Sequence, residues 1–117
     1  PYLREAGYLA AMYPNAYFDI SLAVTQARGS GALLARQALE LAPWNKQLFG
    51  SDAHTVPESY WLSALASREA LGKALDQLVA EELLTSAAAE QAANAILWQD
   101  SLALYQQESW RGNFQRE

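Results

Sequence analysis

Lys46-Gln47-Leu48-Phe49-Gly50-Ser51-Asp52 is the stretch on which the fold of this chain turns. An apolar centre followed by a Gly-Ser-Asp exit predicts a short strand whose small, polar end presents side chains to a site. Upstream, Ala16-Tyr17-Phe18-Asp19-Ile20-Ser21-Leu22 follows the Pro14-Asn15 turn and is rich in aromatic and branched residues, which suits a buried strand. Between the two lie Arg28-Gly29-Ser30-Gly31, a flexible break, and a helix over 32–41 that Pro43 ends and Ser30 is expected to cap.

Working outward, Leu3, Ala6, Ala10 and Tyr13 stand at helical spacing, so a short amphipathic helix over 2–13 precedes the first strand, with Gly7 its weak residue. Beyond Asp52 a long helix starts at Pro57-Glu58, where proline suits a first turn, and runs through Trp61, Leu62, Leu65, Leu71, Leu75 and Leu78. A turn over 82–85, with Thr85 or Ser86 as N-cap, leads to a last helix carrying Ala89, Ala92, Ala93, Ile96, Leu97 and Leu104 on its apolar face. From Glu108 onward the sequence reads as a loose polar tail. Strands alternating with helices of this length argue for βα units, a parallel sheet and the α/β class. Two strands do not make a stable sheet alone. An eight-fold βα barrel takes about 250 residues, so a barrel reading makes residues 1–117 a partial domain. The start at Pro1 rather than Met leads to the same expectation of truncation.

Composition narrows the function classes. Hydrophobic residues make up 51% of the 117, enough to build one core. The net charge of −5, with eight scattered Lys and Arg, argues against a nucleic-acid surface, which needs clustered cations to displace counterions. With no cysteine, disulfide frameworks and thiolate metal sites are excluded. No apolar run approaches the roughly 20 residues that span a bilayer, so a soluble, cytoplasmic protein without membrane partners is expected. Walker-type glycine loops, G-x-G-x-x-G, G-x-S-x-G and H-E-x-x-H are all missing, which leaves nucleotide-binding, serine-hydrolase and helix-borne zinc-protease readings without their motifs.

Asp52, read as a residue type alone, is a turn or helix-capping aspartate after a strand. His54 is the single histidine, and one imidazole does not make a zinc site, so it reads as a solvated loop residue or a hydrogen-bond partner for a substrate. Asp19 and Ser21 read as local structural groups. Tyr60, Trp61, Trp98 and Tyr105, at helical positions, are expected to bury against the sheet.

Taken in order, Tyr13-Pro14-Asn15-Ala16-Tyr17-Phe18-Asp19-Ile20-Ser21, Leu48-Phe49-Gly50-Ser51-Asp52-Ala53 and Ala95-Ile96-Leu97 with Leu104-Tyr105 resemble the last third of the amidohydrolase-2 family. Pro57-Glu58, Tyr60-Trp61 and Arg68-Glu69 are similar to the branch whose barrel is fused to glutamine-synthetase-like domains. The resemblance implies the C-terminal part of a (β/α)8 TIM barrel, with strands seven and eight and their flanking helices. It also implies a hydrolase that uses a divalent metal, zinc above others, to activate water against an amide- or ester-like centre in a small-molecule substrate. Asp52 matches the family's acid at the end of strand eight, which contacts the metal or the attacking water and takes its proton. His54 falls in the loop above that strand, where a substrate contact is implied. The family's His-x-His pair and further ligands would lie upstream of Pro1, so the chain alone is expected to bind no metal and to be inactive. Where the family reads Asn-Ala after the Ile-Leu pair, Asp100-Ser101 stands here. The competing reading is a non-catalytic helical module, and both readings expect self-association through exposed apolar surface.

Overall fold

A computed structural model describes residues 2–27 and 29–105; Arg28 of the flexible break and the expected tail from Glu108 lie outside the described residues. Helix α1, Leu3–Met12, stops at Tyr13, whose extended backbone is the conformation that a following proline imposes. Gly7 is no weakness here. A Cβ at that position would lie 3.0 Å from the Cβ of Leu41, so glycine lets α1 cross against the end of α3, Gly31–Leu41.

Strand β1 is Phe18–Asp19 and strand β2 is Gln47–Leu48, shorter than the runs the sequence predicts. They pair in parallel, Phe18 opposite Gln47 and Asp19 opposite Leu48. One step earlier in the same register, the Lys46 ammonium sits 4.3 Å from the centre of the Tyr17 ring and also donates to the Pro14 carbonyl. This cation–π contact clamps the entrances of the two strands side by side. Gln47 is buried and satisfied: its Nε2 donates to the carbonyls of Ala38 at 3.1 Å and Ala42 at 3.0 Å, binding the end of α3 to β2.

The last two residues of the expected first strand, Ser21 and Leu22, instead open helix α2, Ser21–Gln26. The Asp19 carboxylate accepts both the Ser21 N–H, at 3.1 Å, and the Ser21 hydroxyl, and this local bonding turns the chain into a helix where its aromatic and branched residues suggest extension. Asp19 itself is exposed rather than buried. Ser30 occupies the cap position of α3 but makes no side-chain cap bond.

Helix α4, Pro57–Ala80, packs chiefly on α3 and on α2. It ends with paired bonds, Leu83 N–H to Leu78 O at 2.9 Å and Glu82 N–H to Val79 O at 3.0 Å, around Glu82 at φ 59°. Thr85 then caps helix α5, Ser86–Asn94, by accepting the Ala88 N–H at 3.2 Å. A widened π-helical turn over Ala95–Gln99 leads into α6, Asp100–Tyr105. Leu71 and Leu75 of α4 meet Ala92 and Ile96 to form the core, with Leu39 of α3 against it.

Tyr60, Trp61, Trp98 and Tyr105 are not core residues; each is at least half exposed. The inward face of α4 is the series Ser63, Ser67, Ala70, Leu71, Ala74, Leu75 and Leu78, and Trp61, two residues from Ser63, falls on roughly the opposite side. At Ala70 the start of α3 comes close, a Cβ on Gly31 standing 3.3 Å from the Ala70 Cβ. Among the described residues no helix is long and apolar enough to cross a membrane.

Candidate active site

Parallel pairing puts the carboxyl ends of β1 and β2 on one edge, the place where open and closed α/β sheets gather their functional loops. Asp19 and Ser21 leave β1 there, and Gly50, Ser51 and Asp52 leave β2. Of the three residues before Asp52, Phe49 and Ser51 are each bonded to another element and Gly50 packs against a third. Phe49 N–H donates to the Ile96 carbonyl at 3.1 Å, in the π-helical turn. Gly50 lies against the Asp19–Ser21 pair, so that a Cβ there would stand 3.2 Å from Ser21 Oγ and 3.8 Å from the Asp19 carboxyl carbon. The Ser51 carbonyl accepts the Ser63 hydroxyl of α4 at 2.7 Å.

Asp52 follows with φ 51°, in the left-handed region that aspartate enters more readily than most residues. Its side chain is exposed. Ser51 Oγ accepts the Ala53 N–H at 3.3 Å, tightening the turn, and His54 Nδ1 lies 3.4 Å from the Asp52 carbonyl oxygen. His54 is also exposed. The sequence reading of these two as loop residues is therefore met in position: both line one cleft of about 760 Å³ between this loop, α2, the start of α3 and the side of α4. On its far wall the Lys73 ammonium bonds Glu69 at 2.5 Å and holds the Glu69 carboxyl below the usual range.

The structure does not bring Asp19 to Asp52 as a second free acid, because Asp19 is engaged with Ser21. Among the described residues no group of three His, Cys, Asp or Glu side chains converges as a metal site would require. Ser63 and the contact at Gly50 were not singled out from the sequence. The available signal was the run of small residues Ser63, Ser67, Ala70 and Ala74 at helical spacing, which marks a close interface and leaves a hydroxyl inside it.

Two strands in parallel register, an acid displayed at their carboxyl edge and a cleft beside it define a helix-rich α/β unit with a candidate site at its strand ends. The family model described as Amidohydrolase matches residues 1–106, and the chain belongs to that family. It is 38% identical over 107 residues to Protein fluG of Emericella nidulans, covering 91% of this chain and 12% of that protein. It also superposes with a TM-score of 0.82 and 44% identity on a crystal structure from Lactobacillus casei assigned as a metal-dependent hydrolase, covering 93% of this chain and 28% of that one. The chain thus spans a minor part of the length of both relatives.

Proposed function

We propose that the chain is the C-terminal part of a (β/α)8 barrel, with β1 and β2 as strands seven and eight, in a metal-dependent hydrolase acting on an amide- or ester-like carbon centre of a small molecule. The observation that carries this reading is the display of Asp52 at the carboxyl end of β2, exposed in a cleft while the backbone before it is bonded at Phe49 and Ser51 and closely packed at Gly50. A rigid backbone under an exposed carboxylate is what positioning a proton acceptor needs.

Asp52 fits a divalent ion as one oxygen donor. The described residues do not complete a ligand set, and on this reading the remaining ligands come from parts of the barrel outside the chain. A bound ion, zinc being the leading candidate, would supply Lewis acidity and make water deprotonable near neutral pH. Asp52 accepts the proton released as water attacks the substrate. His54, two residues on, lies at the same mouth and offers its ring to a polar group of the substrate. On this reading the 117-residue chain is inactive alone.

A second reading, a helical interaction module, draws on the exposed faces of α1 (Tyr8, Leu9, Met12) and α4 (Trp61, Leu62, Leu65). The barrel reading accounts for the same surface as area that further strands and helices cover, and the isolated chain would then self-associate. Metal removal separates the two. The full-length protein should carry stoichiometric divalent metal, lose hydrolysis of an amide and ester panel on chelation, and recover it when zinc is returned. Metal-free full-length protein with undiminished hydrolysis would refute the proposal.

A further inference from the structure

The hydroxyl of Ser63 is nearly enclosed, with the residue only 7% exposed, and it lies on the face of α4 that looks toward the β2 exit. A serine in mid-helix ordinarily returns its hydroxyl to the carbonyl one turn back. Ser63 instead donates across a separation of 12 residues to the Ser51 carbonyl at 2.7 Å. One turn further along the same face, Ser67 is just as buried at 8%, yet its Oγ has no hydrogen-bond partner among the described residues. Burial on this face therefore does not by itself dictate a bond to the loop.

The bond acts where it has most leverage. The Ser51 carbonyl and the nitrogen and Cα of Asp52 belong to one planar peptide unit, so fixing the oxygen fixes the plane from which Asp52 departs. Asp52 then turns at φ 51°, a conformation with few neighbouring alternatives for a residue bearing a Cβ. Phe49 is bonded to Ile96 and Gly50 packs on the Asp19–Ser21 pair, which secures the strand end; apart from Ser63, the Ser51–Asp52 plane beyond it is braced among the described residues only by the local Ala53 N–H bond to Ser51 Oγ, which can rotate with the turn. Ser63 removes that remaining freedom.

The geometry points to Ser63 as a positioning residue that sets the direction of the Asp52 carboxylate through the Ser51–Asp52 peptide plane. The inference rests on the proposed role of Asp52 as proton acceptor. It names a residue of α4, on the wall of the same cleft, that acts through the loop.

Four variants of the full-length protein test it: Ser63→Ala, Ser63→Thr, Ser67→Ala and Asp52→Asn. Two quantities are read, amide hydrogen exchange over residues 51–54 and the kinetics of p-nitrophenyl acetate hydrolysis with zinc bound. Ser63→Ala should speed exchange at Ala53, whose N–H donates to Ser51 Oγ, about tenfold, the scale of one lost hydrogen bond, while Leu71 to Leu78 keep wild-type protection. The same variant should lower kcat by about 10- to 100-fold with KM little changed, as a displaced catalytic group does. Ser63→Thr, which keeps the hydroxyl, should restore both, and Ser67→Ala should alter neither. Loop exchange or kcat in Ser63→Ala that stays within twofold of wild type would overturn the inference, as would an equal effect from Ser67→Ala. Asp52→Asn separates this failure from that of the underlying reading. If Asp52→Asn retains full turnover, the role of Asp52 falls and the positioning role with it. If Asp52→Asn is inactive and Ser63→Ala is not impaired, only the positioning role falls.

Discussion

Replacing Asp100 by asparagine should stabilise the chain near neutral pH, and the gain should fade in acid. Asp100 opens α6 directly after the π-helical turn; the residue is half-buried, but its Oδ2 is shut off from solvent and has no hydrogen-bond partner among the described residues. Burial pushes its carboxyl above the ordinary value of 3.8. The folded state therefore holds the Asp100 proton more tightly than the unfolded state, and stability falls as pH rises from the unfolded value through the raised folded one. Above that window the full cost of the ionised, unpaired oxygen is present; below it, none is. The charge adds to the cost of leaving this oxygen unpaired, and because Asp100 is only partly buried that addition is about 1 kcal/mol. Asparagine keeps the shape without the charge, so the midpoint of thermal unfolding should rise by about 4 °C for a domain of this size. Urea unfolding of both proteins at about pH 7 and about pH 4 measures the difference, with an unchanged m value showing that only stability has moved. A variant less stable than wild type at the higher pH, or an advantage as large at the lower one, would refute the reasoning.

Two further substitutions probe the backbone. Glu82→Gly should stabilise by about 1 kcal/mol in the same urea assay, since Glu82 holds the left-handed position that ends α4 and glycine occupies it without the Cβ penalty. Gly50→Ala should cost about 1 kcal/mol, because its Cβ would stand 3.2 Å from Ser21 Oγ, which its bond to the Asp19 carboxylate keeps from giving way; a crystal structure of that variant should show the β2 exit or Ser21 displaced by a few tenths of an ångström.

Much of the architecture is legible in the sequence because prolines and small polar residues punctuate it. Pro14, Pro43 and Pro57 mark helix boundaries in the structure, and Thr85 caps α5 as its position suggests. Helix α2 was not legible, because Ile20 to Thr25 carry branched residues suited to a strand, and the deciding interaction is the local bond from Ser21 to the Asp19 carboxylate. Burial of the aromatics was misjudged for a related reason. Helical spacing shows that Tyr60, Trp61 and Trp98 lie on helices, but the inward face is chosen by close approach, which favours Ser63, Ser67 and Ala70. In the candidate site, Asp52 and His54 could be read from the phrase that contains them. The supports at Ile96, Ser21 and Ser63 come from segments 12 to 47 residues away along the chain and only the fold brings them together.

Under the proposed function Asp52 is the proton-accepting acid of a metal-dependent hydrolase. The most direct test of that role is the turnover of Asp52→Asn in the full-length protein with metal bound, beside a hydrogen-exchange measurement showing an intact core at Leu71 to Leu78. The account predicts a loss of about 10²- to 10⁴-fold in kcat, the contribution of a positioned general base, with the core unchanged. Turnover within a few-fold of wild type would contradict it.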